Sequence, residues 1–167
     1  MLLSGKIKIE ELNLHNYSPS YIHWLNDPQI TKFLETKSLS KNEIEAFIKN
    51  CSDSSTEFLF GIFYEGCHVG NIKLGQVDYR HKFGEIGLLI GEKKLHGKGI
   101  GSEALWLCCD FAKKKLGLHK VLGGMHEPNM ASYKTFLKCG FREVGRFQKH
   151  RLVDGIWYNN IIMEKIL

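Results

Sequence analysis

The sequence predicts an α+β fold: a mostly antiparallel sheet with a single parallel step. Two observations carry this expectation. Short alternating apolar runs recur along the chain, several of them joined by hairpin-type turns. One stretch, residues 83–126, reads strand, glycine-rich loop, helix, strand; such a crossover forces its two strands to lie parallel.

Each element has its own local reason. "KIKIEEL" (6–12) alternates as a strand does. Ser18–Pro19 supplies an N-cap and a proline at the first helical position, so a short helix runs through Trp24. Ser40 and Glu43 form the S-x-x-E capping box, and Ile44, Phe47, Ile48 and Cys51 follow at i, i+3, i+4, i+7; residues 41–51 form an amphipathic helix. "EFLFGIFY" (57–64), a Glu65–Gly66 turn and "CHVGNIKLGQV" (67–77) make a hairpin. "FGEIGLLI" (83–90) is the next strand. The helix after the glycine loop, 102–116, carries Leu105, Cys108, Cys109, Ala112 and Leu116 as one stripe and is stopped by Gly117. A strand at 120–126, a helix at 129–139 closed by Gly140, and a hairpin about Asp154–Gly155 complete the order.

Composition narrows the class. A length of 167 residues predicts one domain, 1–167, with a substantial core; 43% apolar and 25% charged residues are ordinary for a soluble protein. No apolar run is long enough to span a membrane, and "MLLSGKIKIEEL" has no apolar leader core, so a cytoplasmic location is expected. The five cysteines show no C-x-x-C spacing and are expected as reduced core residues. The eight histidines show no metal spacing, and no metal is implied. A net charge of +5 suits an anionic ligand but is too dispersed to indicate nucleic acid.

The loop "LHGKGIGSEA" (95–104) holds Gly97, Gly99 and Gly101 just before a helix. Gly99 stands where a Walker loop needs Ser or Thr, and the spacing is not the G-x-G-x-x-G dinucleotide pattern. Its local physics is still that of an anion site. Amides without strand partners meet the positive end of a helix dipole, and Lys93, Lys94 and Lys98 add charge. Two readings stand side by side: a solvated glycine turn and a pyrophosphate cradle.

The surrounding pattern resembles the GNAT superfamily of acyl-CoA-dependent N-acyltransferases. Its loop, [Q/R]-x-x-G-x-[G/A], reads here His96-Gly97-Lys98-Gly99-Ile100-Gly101, with His96 in place of Gln or Arg. Its later signature matches Asn129, Ser132, Gly140 and Phe141. "WLNDPQITKFLE" and "DGIWYNNIIMEKI" are similar to the ribosomal-protein N-terminal and spermidine acetyltransferase branches. The resemblance implies a GNAT-type mixed, mostly antiparallel twisted sheet of about seven strands, with helices on both faces and one central βαβ crossover.

It also implies a function. Acetyl-CoA would bind as co-substrate along Leu88, Leu89 and Ile90, on the loop His96 to Ser102 (Gly97, Lys98, Gly99, Ile100, Gly101), and at Asn129 and Ser132. Strands 83–90 and 120–126 would splay, freeing an amide near Leu88 or Leu89 for the thioester oxygen. Glu85 is the expected base, against a purely structural role. Ser132 is the expected acid, with Tyr133 the weaker choice, because the family's usual tyrosine position holds Phe136. Asn129 caps its helix in either case. Tyr79, His81, Trp24, Asn26, Phe33 and Glu35 would lie near the acceptor. The acceptor is expected to be a primary amine on a small molecule, such as an amino-sugar nucleotide, with no nucleic acid or membrane partner and a monomeric or homodimeric protein. A protein N-terminal amine and a non-catalytic acyl-CoA sensor are the alternatives.

Overall fold

Alternation builds the sheet. The computed structural model describes residues 2–34 and 38–167, and opens with two short antiparallel strands, β1 (Leu2–Ser4) and β2 (Ile7–Glu11). Three helices follow: α1 (Ser20–Leu25), α2 (Pro28–Thr31) and α3 (Lys41–Ser52). Next come β3 (Phe58–Tyr64), β4 (Cys67–Asp78) and β5 (Phe83–Ile90), then a single 3₁₀ turn at Lys93–Leu95 and α4 (Ile100–Lys114). The chain closes with β6 (Lys120–His126), α5 (Met130–Lys138), β7 (Arg142–Val153) and β8 (Ile156–Ile166).

Among the described residues the strands form one eight-stranded sheet, ordered β1-β2-β3-β4-β5-β6-β8-β7. Every neighbouring pair is antiparallel except β5 and β6. Eight strands accord with the expected mostly antiparallel sheet of about seven. The extra strand is β1, too short for alternation to register, which pairs Leu2 with Ile9 and Ser4 with Ile7.

Period-two burial puts a core on each face. On β3, Phe60 and Ile62 pack with α4, where Phe60 meets Phe111 edge to face at 4.9 Å; Leu59 belongs to the core under α1 and α3. Ile44, Ile48 and Cys51 of α3 are buried there, and the Ser40–Glu43 capping box is formed on both of its arms. The start of α1 lies slightly later than the sequence suggests: Pro19 takes the N-cap position, and Ser18 Oγ accepts from the Ser20 N–H at 3.1 Å. His68 joins this layer to the sheet. Its Nδ1 accepts from the Ser18 N–H at 3.0 Å, and its Nε2 faces Gly70 O and Asn71 Oδ1 at 2.9 Å. Because Nδ1 accepts, the proton sits on Nε2, and burial holds the ring's pKa below its ordinary value.

Four of the five cysteines are buried as expected. The fifth, Cys67, is exposed at the start of β4, which corrects its assignment to the core. All five are free thiols.

Candidate functional site

The sheet opens at its one parallel pair. Strands β5 and β6 pair only through Phe83–Lys120, Gly84–Val121 and Glu85–Leu122, yet run on to Ile90 and His126. The neighbouring ladder determines which backbone groups face the gap. The Gly91 N–H bonds Val69 O at 2.9 Å, so the in-register pairs Leu89–Asn71 and Gly87–Lys73 are the hydrogen-bonded ones. Leu88 and Ile90 alternate with them and turn their N–H and C=O groups away from β4, toward the gap. Of the two amides expected to be freed, the geometry therefore selects Leu88 over Leu89. Ile90 O accepts from His96 Nε2 at 2.8 Å in accord with this direction. That bond also gives the His96 departure a physical role: the ring ties the glycine loop to the end of β5.

The glycine loop sits at the mouth of the gap. Gly99, the N-cap of α4, has φ +84° and Gly97 has φ +76°; a Cβ at either position would meet nothing within 4 Å. The helix begins at Ile100, two residues earlier than expected, because Gly99 itself makes the turn. The amides of His96 and Lys98 are spent inside the loop, on Lys93 O and Leu95 O. Those of Gly97, Gly99, Ile100, Gly101 and Ser102 donate to no described residue. The Ile100 and Ser102 side chains are buried, so these residues offer only backbone. Lys94 and Lys98 are exposed, whereas Lys93 turns away to Asp27 (2.6 Å) and Gln29 (2.8 Å).

Opposite the α4 face, side chains converge on the gap. Glu85, exposed on β5, brings Oε1 within 3.4 Å of where a Cβ on Gly124 would stand; Asn160 Nδ2 lies 3.4 Å from the same point. Continuing the β5–β6 register sets Gly87 across from Gly124, and a Cβ on Gly87 would meet nothing within 4 Å. The next pair on β6 and β8 is His126 with Asn160. Both are buried, and Phe33 packs edge to face on His126 with ring centroids 5.8 Å apart. Asn160 is 4% exposed, and its side chain makes no hydrogen bond with any described residue.

The remaining expected residues divide by position. Asn129 caps α5, its Oδ1 accepting from the Ser132 N–H at 3.2 Å; Ser132 is half-buried on the first turn. Tyr133 donates its hydroxyl to Glu143 on β7 at 3.2 Å, and that carboxylate raises the phenol pKa. Phe136 is 2% exposed and lies over Gly123, where a Cβ would come 2.2 Å from its ring. Tyr79 donates to Ser55 O and His81 pairs with Asp78, both at the far end of β5 from the glycine loop. Trp24 is core, with Nε1 on Glu92 at 3.3 Å; exposed Asn26 bonds Ile22 O and Leu39 O. Glu35 lies outside the described residues. Sequence reasoning missed Gly87, Gly124, His126 and Asn160. The Asp154–Gly155 turn fixes how β8 meets β7, but no turn links β8 to β6, so nothing local aligns Asn160 with Glu85.

The opening thus has unspent amide donors at its mouth and a carboxylate and a carboxamide on its wall, the kinds of group that acyl transfer uses. Residues 8–142 match the family model described as Acetyltransferase (GNAT) domain, and the chain belongs to that family. It is thereby an acetyl-CoA-dependent N-acetyltransferase. YnaD of Bacillus subtilis, described as an uncharacterized N-acetyltransferase, is 25% identical over 149 residues, covering 89% of this chain and 86% of that one. The mouse α/β-tubulin N-acetyltransferase 9 is 33% identical over 157 residues, covering 86% of this chain and 65% of that one. In fold, the spermidine N-acetyltransferase of Vibrio cholerae, solved with CoA and spermine, superposes with a TM-score of 0.88 at 18% identity, covering 96% of this chain and 95% of that one. Among the described residues no cluster of metal-ligating side chains occurs, and no helix is long and apolar enough to cross a membrane.

Proposed function

We propose that the protein transfers the acetyl group of acetyl-CoA to the primary amine of a small molecule inside the β5–β6 opening. The observation that carries this reading is the opening itself, with unspent amides at its mouth and Glu85 on its wall. The residues fit the co-substrate: the cradle at Gly97 and Gly99 is open where side chains would stand, and five loop and helix amides are available to phosphate oxygens. The pantetheine arm would extend along Leu88–Ile90 by strand addition.

Within that frame each residue has a task. The Leu88 N–H, aimed into the gap, donates to the thioester carbonyl oxygen as negative charge develops there; one such donor is typically worth about 10²–10³ in rate. An alkylamine, with a pKa of about 10.4, arrives mostly as ammonium at neutral pH. Glu85 accepts its proton, directly or through one water, and the freed amine attacks the carbonyl carbon. Ser132, at the start of α5, donates to the departing sulfur. Tyr133 is the weaker choice for that role, because its hydroxyl is engaged by Glu143.

An amino-sugar nucleotide is the leading acceptor. A protein N-terminal amine is the second reading, favoured by the mouse relative's name. Thiol release from acetyl-CoA, measured with an amino-sugar nucleotide, spermidine and an N-terminal peptide, tests both. Turnover of the amino sugar is the expected result; turnover of the peptide alone would select the second reading, and release with none of them would overturn both.

A further inference from the structure

We propose that Asn160 selects the acceptor by binding a hydroxyl or amide group on the carbon next to the reacting amine. This inference rests on the reading of the opening as the amine site. Its basis is a carboxamide with nothing to do in the fold: 4% exposed, bonded to no described residue, and aimed at the point over Gly124 that Glu85 Oε1 also approaches to 3.4 Å. A small group seated over Gly124 reaches both side chains at once. Glu85 takes the ammonium, and Asn160 offers an N–H and a C=O to whatever polar group is attached one carbon away. Gly124 makes the space, and Ile162 Cδ1, 4.0 Å from the same point, supplies an apolar wall.

Charge gives the acceptor's amine a partner. Several neighbouring carboxylates already hold cations: Glu127 and Glu143 hold Arg146, and Glu164 holds Lys120 and Arg142. Glu85 pairs with no described cation. A monoamine with a polar neighbour uses Glu85 and Asn160 together.

The test compares kcat/KM for four amines: 2-amino-2-deoxyglucose (adjacent hydroxyl), alaninamide (adjacent carboxamide), cyclohexylamine (no adjacent polar group) and spermidine. Wild type is expected to favour one of the first two over cyclohexylamine by at least about tenfold, since a site with a buried polar group discriminates against ligands that leave it unpaired. Asn160→Leu should collapse that ratio, and dividing mutant by wild-type ratios cancels differences in amine basicity. Its thermal melt should hold, because no internal hydrogen bond is lost. Gly124→Ala, which places a methyl between the two polar groups, should raise KM for the favoured amine while acetyl-CoA affinity is kept. Preference for the sugar points to a sugar amine and preference for alaninamide to a peptide terminus; either supports the inference. A ratio unchanged in Asn160→Leu overturns it, as does spermidine or cyclohexylamine turned over as well as the best acceptor. Glu85→Gln, measured alongside, separates the two readings: wild-type turnover there removes Glu85 as the base whatever Asn160 does.

Discussion

At the scale of single residues, one glycine and one serine carry the sharpest expectations. Gly99 turns the chain with φ +84° and leaves open space where a side chain would project. Gly99→Val therefore has two separable effects. The left-handed backbone costs about 1–2 kcal/mol of stability for any L side chain, and the branched side chain fills the cradle. Acetyl-CoA affinity, followed by calorimetric titration of the folded variant, should fall at least tenfold; unchanged affinity would remove the cradle. Ser132→Ala should lower kcat more than it changes coenzyme affinity, because thiol protonation belongs to the transition state. Tyr133→Phe should leave kcat near wild type, and the reverse ranking would transfer the role to Tyr133. The loop and Asn129 were legible in the sequence because both depend on local rules: backbone freedom before a helix and a capping side chain. Asn160 was not, since its meaning lies in two strands that meet 34 residues apart in the chain, His126 and Asn160.

At the scale of elements, docking of α1 depends on one buried ring. His68 receives the Ser18 N–H and gives its own proton toward Gly70 O and Asn71 Oδ1, so it folds in the neutral form. Its pKa lies below the ordinary 6.5 because burial penalises the charge. The unfolded chain binds a proton below about pH 6.5 that the folded ring resists, so stability is full above that pH and falls as pH drops from 7 to 5. The paired carboxylates of Asp27, Glu57 and Glu164, whose pKa values are lowered, act in a more acid window. Thermal melts at pH 7, 6 and 5 should show a falling Tm in wild type and a flatter profile in His68→Phe, which starts lower because the Ser18 N–H loses its acceptor. Equal slopes would place the pH response elsewhere. Most elements were legible because capping boxes, turn glycines and periodicity act over a few residues. The strand β1 and the four-residue α2 were not, being shorter than any period that would reveal them.

At the scale of the whole molecule, the site is a topological consequence. One parallel pair interrupts an otherwise antiparallel sheet, and its ladder ends at Glu85 and Leu122. The two strands diverge beyond that point, leaving the Leu88 amide, the Gly87 and Gly124 gap and the Glu85 carboxylate facing one space. The crossover was legible from residues 83–126, and so the parallel pair was expected. The place where pairing stops depends on how α4 and α5 pack together against one face of the two strands, and that is a property of packing, not of local pattern.

The central claim is that Glu85 takes the acceptor's proton in this opening, and a pH–rate profile of Glu85→Gln tests it most directly. Glutamine keeps the shape and hydrogen-bonding reach of the side chain and removes its basicity. Acetyl-CoA affinity should stay near wild type, while turnover of the best amine at neutral pH should fall by about 10²–10⁴. Raising the pH should recover part of the loss, as more of the amine arrives already deprotonated. Wild-type turnover at neutral pH in Glu85→Gln, with unchanged affinity for acetyl-CoA, would contradict the account and leave Glu85 a structural carboxylate at the edge of the gap.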